Sequence, residues 1–419
     1  MVVSDGQGRV AEVPGVEMAA ACLNRTLLPL EQELIPLPHA SVLYELPQRT
    51  PVGYVRSSKC FSAWRSGGRH RSVAVAAFLP PAHTLLYHPA YETQPGAPTL
   101  PLYAYAAVGW RDNAFWVPAV RVDADMRHDP AMFSDDSIEQ GVRRLRSLYP
   151  ANRLITHLIE NCIQRYHCPN AQNLAIGRWE CPVPVSPSCN AACLGCISKQ
   201  AQDAVPSAQQ RLTFTPTVEE ILEYTVPHLQ QAPHAMISFG QGCEGEPLLH
   251  ADLLEAAIRK IREKTSKGTI HLNTNGAYPR EVERLCRVGL DSVRFSMNSA
   301  QEQHYRQYSR PRDYGLDEVM ESMRIARRYE RWISLNYFIF PGLTDQPQEM
   351  EELLRILARY RVNCVQMRNL NIDPEYYIKE LALEGLRTQP LGILNWMAAV
   401  KKQAPWIRFG YFNPAKETW

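Results

Sequence analysis

Three cysteines crowd one short stretch, SPSCNAACLGCIS, where Cys189, Cys193 and Cys196 follow a Cys-x3-Cys-x2-Cys spacing. Three thiolates this close can cap three irons of one 4Fe-4S cluster and leave the fourth iron open to a ligand. A tetrahedral zinc site needs a fourth protein donor, and the nearest downstream histidine, His228, stands too far along the chain to be a local one. A second stretch, FGQGCEGEPLL, spaces Gly240, Gly242 and Gly245 as Gly-x-Gly-x-x-Gly, the pattern of a dinucleotide-binding turn. That pattern wants a helix opening at the third glycine and an acidic residue closing the next strand. Here Glu246 and Pro247 follow the third glycine, helical periodicity starts only near His250, and the next strand closes on Asn273, Thr274 and Asn275. The alternative use of a carboxylate and bare carbonyls beside glycine is to hold a cationic amine.

Other polar positions gather at strand ends. Asn273, Asn275, Ser296 and Asn298 close two successive candidate strands. Taken singly, each is an ordinary turn former; together they offer neutral donors and acceptors at one rim. The segment QEQHYRQYSRPRDYG carries Tyr305, Tyr308, Arg310 and Arg312, which could cover a substrate or simply cap a helix. Of the 11 cysteines, Cys22, Cys60, Cys286 and Cys364 sit alone and read as buried thiols. Cys162, Cys168, Cys181 and Cys243 could supply four thiolates to a second, auxiliary iron-sulfur cluster, or be buried thiols as well. An odd count, with no export signal at the amino terminus, disfavours a disulfide framework.

The elements that must position these residues alternate strand and helix after about residue 180. Six short apolar runs, PVPVS, AMISFG, TIHLNT, SVRFSM, ISLNYFIF and NCVQMRNL, are separated by amphipathic stretches such as Val218 to Leu229 and Leu316 to Tyr329. This predicts an α/β region: a parallel sheet of βαβ units curved into a partial (β/α)6 TIM-type barrel, with ligands at the carboxyl ends of its strands. The expected organisation is an amino-terminal, mostly β domain over 1–132, a helical connector over 133–180, the partial barrel over 181–376 and a helix and tail over 377–419. The aromatic tail PWIRFGYFNP is expected to pack over the open side of the barrel. The basic runs RSGGRHRS and VRRLRS read as solvated faces.

Composition narrows the classes. With 45 Lys plus Arg against 43 Asp plus Glu, the net charge of +2 disfavours nucleic acid as partner. No apolar run reaches the roughly 18 residues of a membrane span, so no membrane is expected and the cytoplasm is the expected compartment.

The cysteine triad on the loop after the first strand, followed by the Gly-Glu-Pro segment after the second, resembles the radical S-adenosylmethionine (radical SAM) superfamily over roughly residues 183 to 375. The resemblance implies a 4Fe-4S cluster on Cys189, Cys193 and Cys196. It further implies S-adenosylmethionine chelating the open iron and reductive cleavage to a 5'-deoxyadenosyl radical that abstracts hydrogen from substrate. Gly245, Glu246 and Pro247 would match the Gly-Gly-Glu-Pro segment that holds the methionyl ammonium. Asn273, Asn275, Ser296 and Asn298 would serve the ribose hydroxyls and the methionyl carboxylate. Ile339 and Phe340 would lie against adenine, with Met367 and Arg368 offering backbone to its edge. Two positions depart from the family pattern: Gly195 stands where an aromatic residue is frequent, and Glu244 stands where the first glycine would be. A reducing electron donor such as flavodoxin or ferredoxin is implied; the substrate classes open to such an enzyme are peptide or protein, RNA and small molecule, and the near-neutral charge favours a peptide or small molecule over RNA. The other class in play is a non-catalytic metal-binding or protein-interaction module retaining the fold.

Overall fold

The computed structural model describes residues 1–65, 72–201 and 205–419, so most of the basic run RSGGRHRS lies outside the described residues. The chain forms two compact units. The first gathers Met1–Ala124, Phe338–Leu354 and Met367–Pro405; the second gathers Asp125–Tyr337, Arg355–Gln366 and Trp406–Trp419.

The first unit is mostly short antiparallel strands. Its strand Ala74–Phe78 pairs with Val42–Leu46 in a register that runs from Ala74 against Leu46 to Phe78 against Val42. Side chains of a strand alternate between faces, and here both faces are covered. Val75 and Ala77 enter a core with Leu79, Leu85, Val108 and Val117, while Ala74 and Ala76 enter another with Leu46, Leu100 and Tyr105. A buried ion pair ties this core to a segment from late in the sequence. Arg49 Nη2 lies 3.2 Å from Asp373 Oδ2, with both side chains only 2% exposed. The guanidinium also donates to the carbonyls of Pro47 and Pro98, and the carboxylate accepts from the amides of Leu100 and Glu375.

The second unit is built on a seven-stranded sheet in sequential order: β1 (Glu180–Pro182), β2 (Met236–Phe239), β3 (Thr269–Thr274), β4 (Ser292–Met297), β5 (Trp332–Ile339), β6 (Cys364–Asn369) and β7 (Arg408–Gly410). The strands run parallel from β1 to β5 and from β6 to β7. Burial on both faces explains why β2 and β3 read as continuous runs, every one of their residues being buried. This is the partial β/α barrel expected from the alternation of the sequence. It differs at its edges. The first strand is Glu180–Pro182 rather than PVPVS, because Pro182 and Pro184 lack the N–H a ladder needs. The tail adds β7 beside β6 instead of covering an open side, with Trp406 Nε1 donating to the Val362 carbonyl.

Helices cover the sheet. α1 (Asp135–Leu148) starts on Ser134, whose hydroxyl accepts from the Ser137 amide. It is followed by α2 (Arg153–His157), a π-helical stretch Leu158–Arg165 and α3 (Pro169–Ala175). α4 (Val218–Gln231) opens with a capping box of Thr217 and Glu220. α5 (Ala251–Lys264), α6 (Pro279–Arg287), α7 (Glu302–Ser309) and α8 (Leu316–Arg328) follow the strands in turn. Among the described residues no helix is long and apolar enough to cross a membrane.

Removing one partner of a buried pair strands the other charge, a loss of about 3–5 kcal/mol. Arg49→Ala is therefore expected to lower stability by that order in denaturant titration. A loss under about 1 kcal/mol would show that Asp373 needs no cation.

Candidate metal and cofactor site

The loop carrying the three cysteines is held from two sides. On one side, the segment after β2 zips onto the segment after β1. The amides of Val185 and Ser186 both donate to Glu244 Oε2 (2.7 and 2.9 Å), and the Gln241 amide donates to Oε1 (2.7 Å). The Gly245 amide then donates to the Ser186 carbonyl (2.7 Å) and the Glu246 amide to the Ser188 carbonyl (2.8 Å). The approach is so close that a Cβ on Gly245 would fall 1.8 Å from the Ser188 carbonyl oxygen, which admits only glycine. Gly240, with φ +75°, makes a similar approach to the Asn273 carbonyl. On the other side, the end of α7 grips the loop. Ala192 and Leu194 donate their amides to the carbonyls of Ser309 and Tyr308, and Arg312 donates to the Asn190 carbonyl. Gln200 Nε2 closes the loop on itself through the carbonyls of Leu194 and Cys196.

Glu244 is the functional residue that sequence reasoning undervalued. A charged residue in place of a glycine reads as a departure, yet it is 4% exposed and caps three backbone amides. Burial pushes its carboxyl up to about 7 even so. In the segment 301–315 Arg310 caps α7, Tyr305 and Tyr308 are buried, and the backbone of 308–310 anchors the cysteine loop.

Cys189, Cys193 and Cys196 all keep partial exposure and feel one another. Burial pushes the Cys193 thiol up, and the neighbouring thiols of Cys196 and Cys189 add to it. The Cys189 thiol is raised first by burial and then by the Glu246 carboxylate. Three thiols on one short loop suit a cube whose irons are capped separately. A cation faces them: Arg211 Nη2 donates to Cys196 Sγ at 3.4 Å, and its Nε donates to the Ser198 hydroxyl. Arg211 was not singled out in the sequence, since a lone arginine in a polar stretch carries no pattern.

Glu246, also 4% exposed, accepts from the Leu248 amide and the Thr274 hydroxyl at Oε1 and from the Asn275 amide at Oε2. Burial lifts its carboxyl to about 7. Pro247 starts a short 3-10 turn, and α5 opens only at Ala251, so no helix terminus meets Gly245 as a dinucleotide turn would require. Asn275 Nδ2 donates to Asn190 Oδ1, directly after Cys189, and Asn190 Nδ2 in turn reaches Tyr278 and Asp313. Asn273 spends its side chain on the protein: Nδ2 donates to the Phe239 carbonyl and Oδ1 faces His271 Nε2. Ser296 lies opposite Asn336 in the β4–β5 register, and Asn298 Nδ2 donates to the His304 carbonyl.

The apolar positions belong to the first unit. Ile339 and Phe340 are buried there, Phe340 packing against His88 and Tyr377 at centroid distances of 4.8 and 4.5 Å. Met367 is buried with its carbonyl accepting from the Thr84 hydroxyl.

The four cysteines offered for a second cluster lie on the π-helical stretch, at the start of α3, on β1 and on the loop after β2. Cys162 and Cys243 touch, with sulfurs 3.7 Å apart, and His157 joins them. Cys168 lies near Cys243, its own thiol raised to about 11 chiefly by burial. Cys181 sits on β1 outside that group, beside Tyr149 and Tyr224.

Comparison with known proteins gives the same region. Residues 183–357 match the model of the Radical SAM superfamily. The chain is similar to a probable dual-specificity RNA methyltransferase RlmN 2 of Protochlamydia amoebophila, 27% identical over 230 residues, which covers 53% of this chain and 58% of that one. It is also similar to a probable dual-specificity RNA methyltransferase RlmN of Synechococcus sp., 30% identical over 141 residues, covering 32% of this chain and 40% of that one. The chain thus spans about half the length of the curated relatives it matches. Among solved structures, Streptococcus suis SuiB bound to S-adenosylmethionine has a TM-score of 0.37 at 13% identity, covering 66% of either chain. The match begins directly after β1 and spans the thiol loop and the Gly-Glu-Pro segment, so residues 183–357 carry a Radical SAM domain, the family whose cofactors are a 4Fe-4S cluster and S-adenosylmethionine.

Proposed function

We propose that this chain binds a 4Fe-4S cluster through Cys189, Cys193 and Cys196 and uses S-adenosylmethionine for hydrogen abstraction from a substrate. When bound and reduced, the cluster supplies the electron that cleaves the sulfonium to a 5'-deoxyadenosyl radical. Radical SAM enzymes need a reductant, for which flavodoxin or ferredoxin chemistry is the natural class. The observation that carries the reading is the zipper between 185–188 and 244–246, which sets the buried Glu246 carboxylate beside Cys189.

The chain's own residues divide the work. Gly245 permits the close approach, Glu246 keeps carboxylate lone pairs beyond its three donors for an ammonium, and Pro247 ends the segment without adding an N–H. Asn275, tied to both Glu246 and Asn190, orients that carboxylate relative to the cysteine loop. Asn273, Ser296 and Asn298 are proposed for ribose and carboxylate groups, and Ile339, Phe340 and Met367 for adenine.

The substrate is proposed to be a peptide or small molecule, consistent with a net charge of +2. The names of the two curated relatives favour a second reading, methylation of RNA. Release of 5'-deoxyadenosine stimulated by RNA but not by peptide or metabolite fractions would establish that second reading.

Replacing any one of Cys189, Cys193 or Cys196 by alanine is expected to reduce iron from about four per chain to a small residue, and to abolish 5'-deoxyadenosine formation under dithionite. Retention of the cluster in all three variants, or no 5'-deoxyadenosine from the intact protein, would overturn the proposal.

The Glu246 carboxyl, raised to about 7, must ionise to hold an ammonium. Affinity for S-adenosylmethionine is therefore expected to rise with pH up to about 7 and level above it, falling about tenfold per unit below. Anaerobic calorimetry from pH 5.5 to 8 checks this, and Glu246→Gln should bind weakly without that slope. A wild-type slope persisting in the variant would assign it to another group.

A further inference from the structure

We infer that His157, Cys162 and Cys243 form a second site, for a single soft divalent cation such as zinc. Their donor atoms all lie within 4.8 Å of one another, and Cys162 and Cys243 are buried. The separation of 3.7 Å between Cys162 Sγ and Cys243 Sγ matches the edge of a zinc tetrahedron, about 3.8 Å for bonds of about 2.3 Å. It is far longer than a disulfide bond of about 2.05 Å.

His157 brings independent support. The residue is 8% exposed, and its Nε2 is buried with no well-formed hydrogen bond among the described residues while the ring reaches the Cys243 thiol. An orphaned ring nitrogen in a buried site calls for a ligand. The other nitrogen, Nδ1, lies 3.2 Å from Asn161 Nδ2. With the Asn161 amide flipped so that its oxygen accepts from Nδ1–H, the Nε2 lone pair is free, the usual outer support of a metal-bound imidazole.

Backbone geometry explains how the donors converge. Residues five apart on an α-helix point about 140° away from each other, at 100° per residue. Leu158–Arg165 is π-helical, its ring size seen where the Tyr166 amide donates to the Asn161 carbonyl five residues back. The wider turn brings positions five apart onto one side, so His157 at its start and Cys162 within it share a face, and π-turns concentrate at functional sites. Cys243 arrives from the loop after β2, between Gly242 and Glu244. Cys168, whose amide donates to the Cys162 carbonyl at 2.7 Å, follows on the same segment. The ion would displace the thiol protons and staple the helical segment 157–168 to the loop that carries Glu244 and Glu246.

The test uses the full chain with Cys189, Cys193 and Cys196 all changed to alanine, so that its outcome is independent of the proposed cluster. Loaded anaerobically with zinc, it should retain about one ion per chain after gel filtration, and with cobalt(II) it should show thiolate charge-transfer and tetrahedral ligand-field absorption. Adding Cys162→Ser or Cys243→Ser should remove both signatures. His157→Gln should weaken binding at least about tenfold while keeping the charge-transfer band. Zinc should also raise the unfolding temperature of the starting variant and not of those with Cys162→Ser or Cys243→Ser, with circular dichroism confirming that each variant is folded. Failure to retain zinc or cobalt, recovery of a Cys162–Cys243 disulfide under the same reducing conditions, or about four irons with sulfide at this site would each overturn the inference.

Discussion

One carboxylate holds the metal-binding end of the barrel in shape. The strand after Glu180 is broken by prolines, so the backbone amides of Val185 and Ser186 have no ladder to join, and a buried amide must find a partner. Glu244 supplies it from the next loop, and in doing so brings Gly245 and Glu246 alongside Ser186 and Ser188. The cysteine loop departs from that point. The position of Cys189 is therefore set by hydrogen bonds made three to four residues before it, and the position of Glu246 by the same zipper from the other strand.

Much of this could be read before any coordinates were known. The triad and the Gly-Glu-Pro segment are local patterns, and the alternation of buried runs with amphipathic helices survives as the parallel sheet. What escaped the sequence is non-local. Glu244 looked like a misfit because charge ordinarily marks a solvated position, while its value lies in three amides that no pattern connects to it. β7 is three residues long and has no periodicity to detect. The π-helical stretch looked like an ordinary amphipathic helix, and only the wider turn makes His157 a neighbour of Cys162. Asn273, Asn275 and Asn298 were legible as a polar rim, but not the fact that each already engages protein groups.

The first unit shows the same limit at larger scale. It takes in residues from 338–354 and 367–405 as well as the amino-terminal strands, and Arg49 finds its carboxylate more than three hundred positions away. A linear scan for changes in texture cannot see such a pairing. The physical requirement behind it is simple: a guanidinium with 2% exposure must meet a counter-ion, wherever the chain provides one.

The contact of Arg211 with Cys196 has an electrochemical side. A guanidinium donating to a thiolate sulfur withdraws electron density from it, and hydrogen bonds to cysteine sulfur are among the main determinants of an iron-sulfur midpoint potential. In the proposed reading, the cation favours the more electron-rich state of whatever that sulfur ligates. A less strongly reducing carrier can then deliver the electron that starts each turnover.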